Sequence, residues 1–118
     1  MANIIIIDDE LPLRTVMRRI LTRIGHQVRE AADGEEGIEL FRRQPPDVVV
    51  TDLQMPGKGG GETIAELRAA FPAVKILAIS GEVIGDMWDD PRVAGADAVL
   101  GKPSGVTELQ EAVERLVG

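Results

Sequence analysis

Residues Asn3 to Glu10 read NIIIIDDE, four isoleucines running directly into three acids. An apolar run without a polar break is the mark of a strand covered on both faces. The acids that follow repel one another, and a fold that gathers them needs something to offset that cost. The stretch therefore joins a buried strand to a cluster of negative charge at its carboxyl end.

Three further runs share the continuous pattern: Val48–Val50, Lys75–Ser80 (KILAIS) and Asp97–Gly101 (DAVLG). A weaker one spans His26–Ala31 (HQVREA). The four continuous runs predict strands buried on both faces of a parallel sheet. Helical patterns lie between them. Leu13, Val16, Met17, Ile20, Leu21 and Ile24 follow helical spacing, with Pro12 near the start and Gly25 just past the end. From Gly34 to Arg43, Glu35 and Glu36 lead and Arg42 and Arg43 close, which complements the helix dipole, and Pro45-Pro46 stops the segment. Ile64, Leu67 and Phe71 mark another helix, ended by Pro72. Val106, Leu109, Val113 and Leu116 mark the last. Segment 82–94 has helical length, but Pro91 inside it predicts a short, bent or displaced helix. Strands and helices thus alternate five times, a (βα)5 doubly wound α/β fold in one domain, residues 1–118.

Composition agrees. The 118 residues suffice for one domain, and with 44% hydrophobic but 3% aromatic residues its core must be aliphatic. A net charge of −7 argues against sequence-independent nucleic-acid binding, which needs a basic footprint. With no cysteine, disulfides and thiolate metal sites are excluded. The run Ile4–Ile7 is too short for a signal peptide or a membrane span. The expectation is a cytoplasmic protein with no direct contact to nucleic acid or membrane.

Ligands of open α/β sheets bind beyond the carboxyl ends of the strands. Here those ends are Asp8, Asp9 and Glu10 after the first strand, Asp52 after Thr51, Ser80, and Lys102. Carboxylates crowded in one pocket repel, and a divalent cation resolves this; Mg²⁺ prefers oxygen ligands and shares its remaining positions with water and phosphate. Lys102 offers a point charge for a phosphate oxygen and Ser80 a hydroxyl donor. A carboxylate can serve as nucleophile and form an acyl phosphate. The site reads as a Mg²⁺-assisted phosphoryl acceptor. Taken singly, Asp8 and Asp9 fit helix capping, Asp52 a turn, Ser80 a satisfied strand-end hydroxyl and Lys102 a solvated charge. All four would have to coincide at four strand ends. The single histidine, His26, suits a surface or half-buried structural role, so no histidine base serves a hydrolase triad. The glycine run Gly57–Gly61 (GKGGG) lacks the Walker order and reads as a flexible start to a helix. Trp88 reads as packed or half-exposed in segment 82–94.

With DDE after the first strand, DLQMPG after the third, AISG in the fourth and GKP after the fifth, the chain resembles, over essentially its full length, the receiver domain of two-component response regulators. The resemblance implies the flavodoxin-like and CheY-like strand order 2-1-3-4-5. It implies that Asp52 is the phosphoacceptor, that Asp9 ligates Mg²⁺ with Asp8 assisting, and that the Gln54 carbonyl is a further metal contact. Lys102 then pairs with Asp52 or its phosphoryl group, and Ser80 is the switch hydroxyl, with Gly81 leaving room beside it. Gln54 and Glu82 are placed to govern the lifetime of the phosphoryl group. The family often has a cis bond at Lys102-Pro103. The implied donor is a histidine kinase or phosphotransfer protein, and the implied output is a changed contact with a downstream protein target. The receiver would be a monomer or a weak phosphorylation-dependent dimer, catalysing only its own phosphorylation and dephosphorylation.

Some positions depart from the family pattern. Val99 stands where an aromatic residue usually precedes the lysine by three. Ser104 replaces a frequent aromatic and fits a cap for the last helix. Pro91 interrupts segment 82–94, and GKGGG replaces the usual MD before Gly60. These spare the phosphorylation chemistry and alter the output face. A receiver acting alone is the leading expectation, since no output domain follows Gly118, although an excised domain would stop at the same point. A phosphorylation-independent interaction module of the same fold is the alternative. A Mg²⁺-dependent phosphatase would need a substrate cap for which there is no spare length.

Overall fold

A computed structural model of the protein describes residues 2–55, 59–80, 93–101 and 106–118. The elements are β1 (Asn3–Ile7), α1 (Leu11–Arg23), β2 (Gln27–Ala31), α2 (Gly34–Arg43), β3 (Val48–Asp52), α3 (Gly60–Ala70), β4 (Lys75–Ser80), β5 (Ala98–Gly101) and α4 (Val106–Val117). All strand pairs are parallel, in the order β2-β1-β3-β4-β5. Strand order reverses between β1 and β3, so the carboxyl ends of those two strands flank the crevice where such sheets bind ligands.

The four isoleucines show why the central strands carry no polar break. Side chains alternate across a strand. Ile5 and Ile7 join Val49, Ile76 and Ala78 in packing against Ile38 and Phe41 of α2 and Ile64 and Leu67 of α3. Ile4 and Ile6 face the other way with Val48, Val50, Leu77 and Ile79, against Met17 and Leu21 of α1 and Leu109 and Val113 of α4. None of the four isoleucines is more than 1% exposed. Each contributes roughly 1.5–3 kcal/mol by its burial.

Helix ends follow their local chemistry. Pro12 occupies the first turn of α1, where a missing amide costs nothing. Gly25 closes the helix with φ 100°, a conformation that favours glycine, and its amide donates to the Thr22 carbonyl at 3.0 Å. Asp33 caps α2, its Oδ1 accepting from the Glu36 amide at 2.8 Å. Arg29 covers the other end, donating to the carbonyls of Leu40 at 3.1 Å and Gln44 at 2.7 Å. Among the described residues no helix is long and apolar enough to cross a membrane.

Three expectations need correction. β5 is half-buried along its length rather than covered on both faces, because it is an edge strand paired only to β4. Val16 is 50% exposed, and Met17 and Leu21 carry the buried stripe of α1 instead. His26 is buried rather than at the surface or half-buried, and its role is structural, its Nδ1 accepting the Ala2 amide at 3.0 Å and tying the start of the chain to the turn before β2. The expectations for Trp88, Pro91, the bent helix in segment 82–94, Ser104 and the Lys102-Pro103 bond fall outside the described residues, except for Val93 and Ala94.

Candidate metal centre

The ladder between β1 and β2 runs one bond past Ile7, the Asp8 amide donating to the Ala31 carbonyl at 3.1 Å. Asp8 is thereby held at the end of the sheet and is fully buried. On the neighbouring strand Ile7 stands in register with Thr51, so Asp52 follows beside Asp8. Asp52 is 2% exposed. Asp9 and Glu10 are exposed, on the turn into α1. Asp8, Asp9, Glu10 and Asp52 each bring a carboxylate oxygen to within 4.8 Å of the others. At an effective dielectric of about 20, two unit charges at that separation repel by about 3.5 kcal/mol, and less where Asp9 and Glu10 face water.

One local device orients both buried acids. Asp8 Oδ1 accepts from the Glu10 amide, two residues on, at 2.8 Å. Asp52 Oδ1 accepts from the Gln54 amide, again two residues on, at 3.0 Å. These are Asx turns, in which an aspartate bonds the backbone just ahead of it. The turn role weighed for Asp52 is therefore real, while Asp8, weighed as a helix cap, makes a turn instead, and both turns aim the carboxylates within the cluster. Glu10 occupies the cap position of α1 without a side-chain capping bond.

Ser80 ends β4 at 2% exposure, with Asp52 paired to the residue before it, Ile79. Half-buried Gln54 reaches the site through its amide. Val99 packs at the margin of the core on the α2 and α3 side. Lys102, Gly81 and Glu82 lie outside the described residues. Thr51, fully buried, donates from Oγ1 to the Asp52 carbonyl at 3.2 Å.

Three residues have a part at the site that the sequence reading did not assign them. Glu10 stood in the DDE triplet but received no ligand role, and it completes the cluster. Gly60 opens α3 directly against the end of β3: a Cβ there would overlap the Asp52 carbonyl oxygen and stand 2.5 Å from Leu53 Cα. The expectation of a flexible helix start is thus corrected at Gly60, where glycine permits close packing. Arg14 reaches back from α1 to the Asp8 carbonyl at 2.6 Å.

All the donors gathered here are oxygens, and two of the four acids are buried. That donor set fits a hard divalent cation such as Mg²⁺.

Residues 4–114 match the family described as the response regulator receiver domain. The probable transcriptional regulator ycf27 of Porphyridium aerugineum is 34% identical over 117 residues, covering 98% of this chain and 48% of that protein. Sporulation initiation phosphotransferase F of Bacillus subtilis is 24% identical over 113 residues, covering 96% of this chain and 91% of that protein. The chain thus spans about half the length of relatives such as ycf27 and nearly all of the sporulation protein. The crystal structure of response regulator protein TrrA from Thermotoga maritima, in complex with Mg²⁺-BeF, superposes with a TM-score of 0.90 at 29% identity, covering 98% of this chain and 99% of that one. The family match, the strand order and the likeness to TrrA agree: the chain belongs to the receiver-domain family of two-component response regulators.

Proposed function

We propose that this receiver is a phosphoacceptor and that Asp52 takes the phosphoryl group. The observation that carries the reading is the cluster of Asp8, Asp9, Glu10 and Asp52 at the strand-order reversal, with Asp52 buried at the end of β3. A carboxylate oxygen of Asp52 attacks the phosphorus of a phosphohistidine on a histidine kinase or phosphotransfer protein. The phosphorus–nitrogen bond breaks, the imidazole leaves with the electron pair and takes up a proton, and an acyl phosphate forms on Asp52. Water later cleaves that acyl phosphate, returning the carboxylate and releasing inorganic phosphate. The reaction is on the chain itself, and no external substrate is turned over.

Asp8, Asp9, Asp52 and the Gln54 carbonyl are the groups assigned to Mg²⁺. The complex of the similar protein TrrA with Mg²⁺-BeF supports Mg²⁺ as the cation, and the clustering of the acids supports these residues. Mg²⁺ bound there supplies positive charge against the acids and the phosphoryl oxygens. The Asx turns at Asp8 and Asp52 hold the two buried carboxylates in place before phosphate arrives, so little reorganisation accompanies transfer. Lys102 is assigned to a phosphoryl oxygen, and the Ser80 hydroxyl donates to another. Phosphorylation then alters contacts with a downstream protein target, the receiver remaining a monomer or forming a weak dimer.

Intact mass after incubation with acetyl phosphate and Mg²⁺ tests the reading. One added phosphoryl group is expected, and it is lost both in Asp52→Asn and with the metal chelated. If the chain stays unlabelled while a control receiver labels, the protein is a phosphorylation-independent interaction module. Labelling that persists in Asp52→Asn would place the acceptor on another acid.

A further inference from the structure

The acid cluster rests on a turn that is held from outside. Asp8 has its amide bonded to the Ala31 carbonyl and its Oδ1 bonded to the Glu10 amide. Its own carbonyl accepts from Arg14 Nη1 at 2.6 Å. Arg14 is in turn fixed by Nε, which donates to Glu30 Oε1 at 3.1 Å, and its side chain is only 14% exposed. Glu30 lies on β2, and its other oxygen pairs with Arg18 Nε at 3.0 Å. A guanidinium is planar, always charged and carries several fixed donors, so it can hold a carbonyl and a carboxylate together. Lysine has one compact head and cannot reproduce both bonds in the same geometry.

We propose that Arg14, locked by Glu30, is a positioning residue for the metal site, fixing the turn from Asp8 to Glu10 so that its carboxylates converge on the cation. The proposal rests on the reading that this cluster binds Mg²⁺. It makes a prediction of sign that charge alone does not. Arg14 is a cation close to an acidic site, and removing a positive charge strengthens a cation's attraction to that site. If Arg14 acted only through its field, its loss would tighten Mg²⁺ binding. If it acts by holding the turn, its loss weakens binding, because the carboxylates no longer meet the cation together. Residues that orient metal ligands commonly change affinity by roughly 10–100-fold when removed.

Arg18 provides the internal control. It pairs with the same Glu30 carboxylate, and the bond of its side chain reaches Glu30 alone among the described partners. Arg18→Ala removes a similar charge without releasing the Asp8 carbonyl.

The experiment is a calorimetric Mg²⁺ titration of the wild type, Arg14→Ala, Arg14→Lys, Glu30→Gln and Arg18→Ala, with folding of each checked by circular dichroism. Arg14→Ala is expected to weaken Mg²⁺ binding about tenfold, with Arg14→Lys and Glu30→Gln between it and the wild type. Arg18→Ala is expected to bind Mg²⁺ as the wild type does, or more tightly. Should Arg14→Ala fail to fold, Arg14→Lys, which keeps the charge, decides the matter, and wild-type affinity there overturns the proposal. Unchanged or tighter binding in folded Arg14→Ala also overturns it, as does equal weakening in Arg18→Ala. A wild-type protein that binds no Mg²⁺ overturns the functional reading and this inference with it.

Discussion

Replacing Gly60 with alanine tests how closely the third helix must approach Asp52, the proposed phosphoacceptor. The new Cβ would overlap the carbonyl oxygen of Asp52 and lie 2.5 Å from Leu53 Cα, whereas real Cβ atoms stay beyond 3.0 Å from such neighbours. These are backbone atoms, which cannot rotate aside. The start of α3 and the end of β3 must therefore part by about half an ångström or more. Overpacking of this kind costs about 1–3 kcal/mol, offset by up to about 1 kcal/mol from alanine's better helix propensity. The net loss of about 1–2 kcal/mol would lower the melting temperature by roughly 4–10 °C in a domain of this size. The effect on chemistry is larger in proportion, since misplacing a reacting group by about 1 Å can cost about a hundredfold. With the Asp52 backbone displaced, labelling by acetyl phosphate at saturating Mg²⁺ should slow by about ten- to a hundredfold in protein that is still folded. Gly59→Ser is the control: nothing lies within 4 Å of a Cβ at Gly59, and serine suits its position as the cap of α3. That variant should label at the wild-type rate with equal or higher stability. Gly60→Ala that melts and labels like the wild type would refute the claim that close packing at this glycine places Asp52.

Other substitutions probe the frame around the site. Gly37→Ala would drive a Cβ into the buried side chain of Ile7, whose Cγ1 lies 2.6 Å away, at an expected net cost of about 1 kcal/mol by chemical denaturation. Adding Ile7→Val removes the Cδ1 that meets it, so the double variant should be more stable than the two single losses summed, and strict additivity would count against the contact. Arg68 donates to the carbonyls of Gly95, Pro72 and Val74 at 2.8–2.9 Å and pairs with Asp97 at 2.6 Å. Because its side chain is 27% exposed, water can replace part of this, and Arg68→Ala should cost about 1.5–3 kcal/mol, with lysine restoring less than half. Asp9→Asn should raise the metal-free melting temperature by a few degrees by relieving repulsion, and should shrink the further rise that Mg²⁺ produces. A metal-free melting temperature that falls would mean that the acids do not repel in the apo protein.

What the sequence revealed and what it hid differ by the range of the cause. β1, β3 and β4 were legible because a central strand in a parallel sheet must be apolar on both faces, and an unbroken run such as Ile4–Ile7 states that locally. β5 carries the same kind of run yet is half-buried, because the edge position comes from pairing with β4 alone, and no residue within the strand encodes its place in the sheet order. Val16 fits the helical period but lies 50% exposed, while Met17 beside it is buried; spacing marks a stripe without fixing its margins. The acids were legible as a site because topology alone sends strand ends to one edge, so Asp8 and Asp52 could be placed together before any distance was known. Their orientation was not, since each depends on an amide two residues ahead adopting one particular turn. Gly60 sat in a run of glycines that looks uniformly permissive, and only the approach of β3 separates it from Gly59. Arg14 is harder still to read. On the helix it is one of several arginines, and it gains its place because β2 lies next to β1, bringing Glu30 level with the turn that carries the acids. The chemistry-bearing groups are therefore announced by residue type at strand ends, whereas the groups that aim them are ordinary residues made specific by a neighbour distant in sequence. For that reason the acids could be named from the chain itself, while Gly60 and Arg14 emerged only once β3 and β2 were seen beside them.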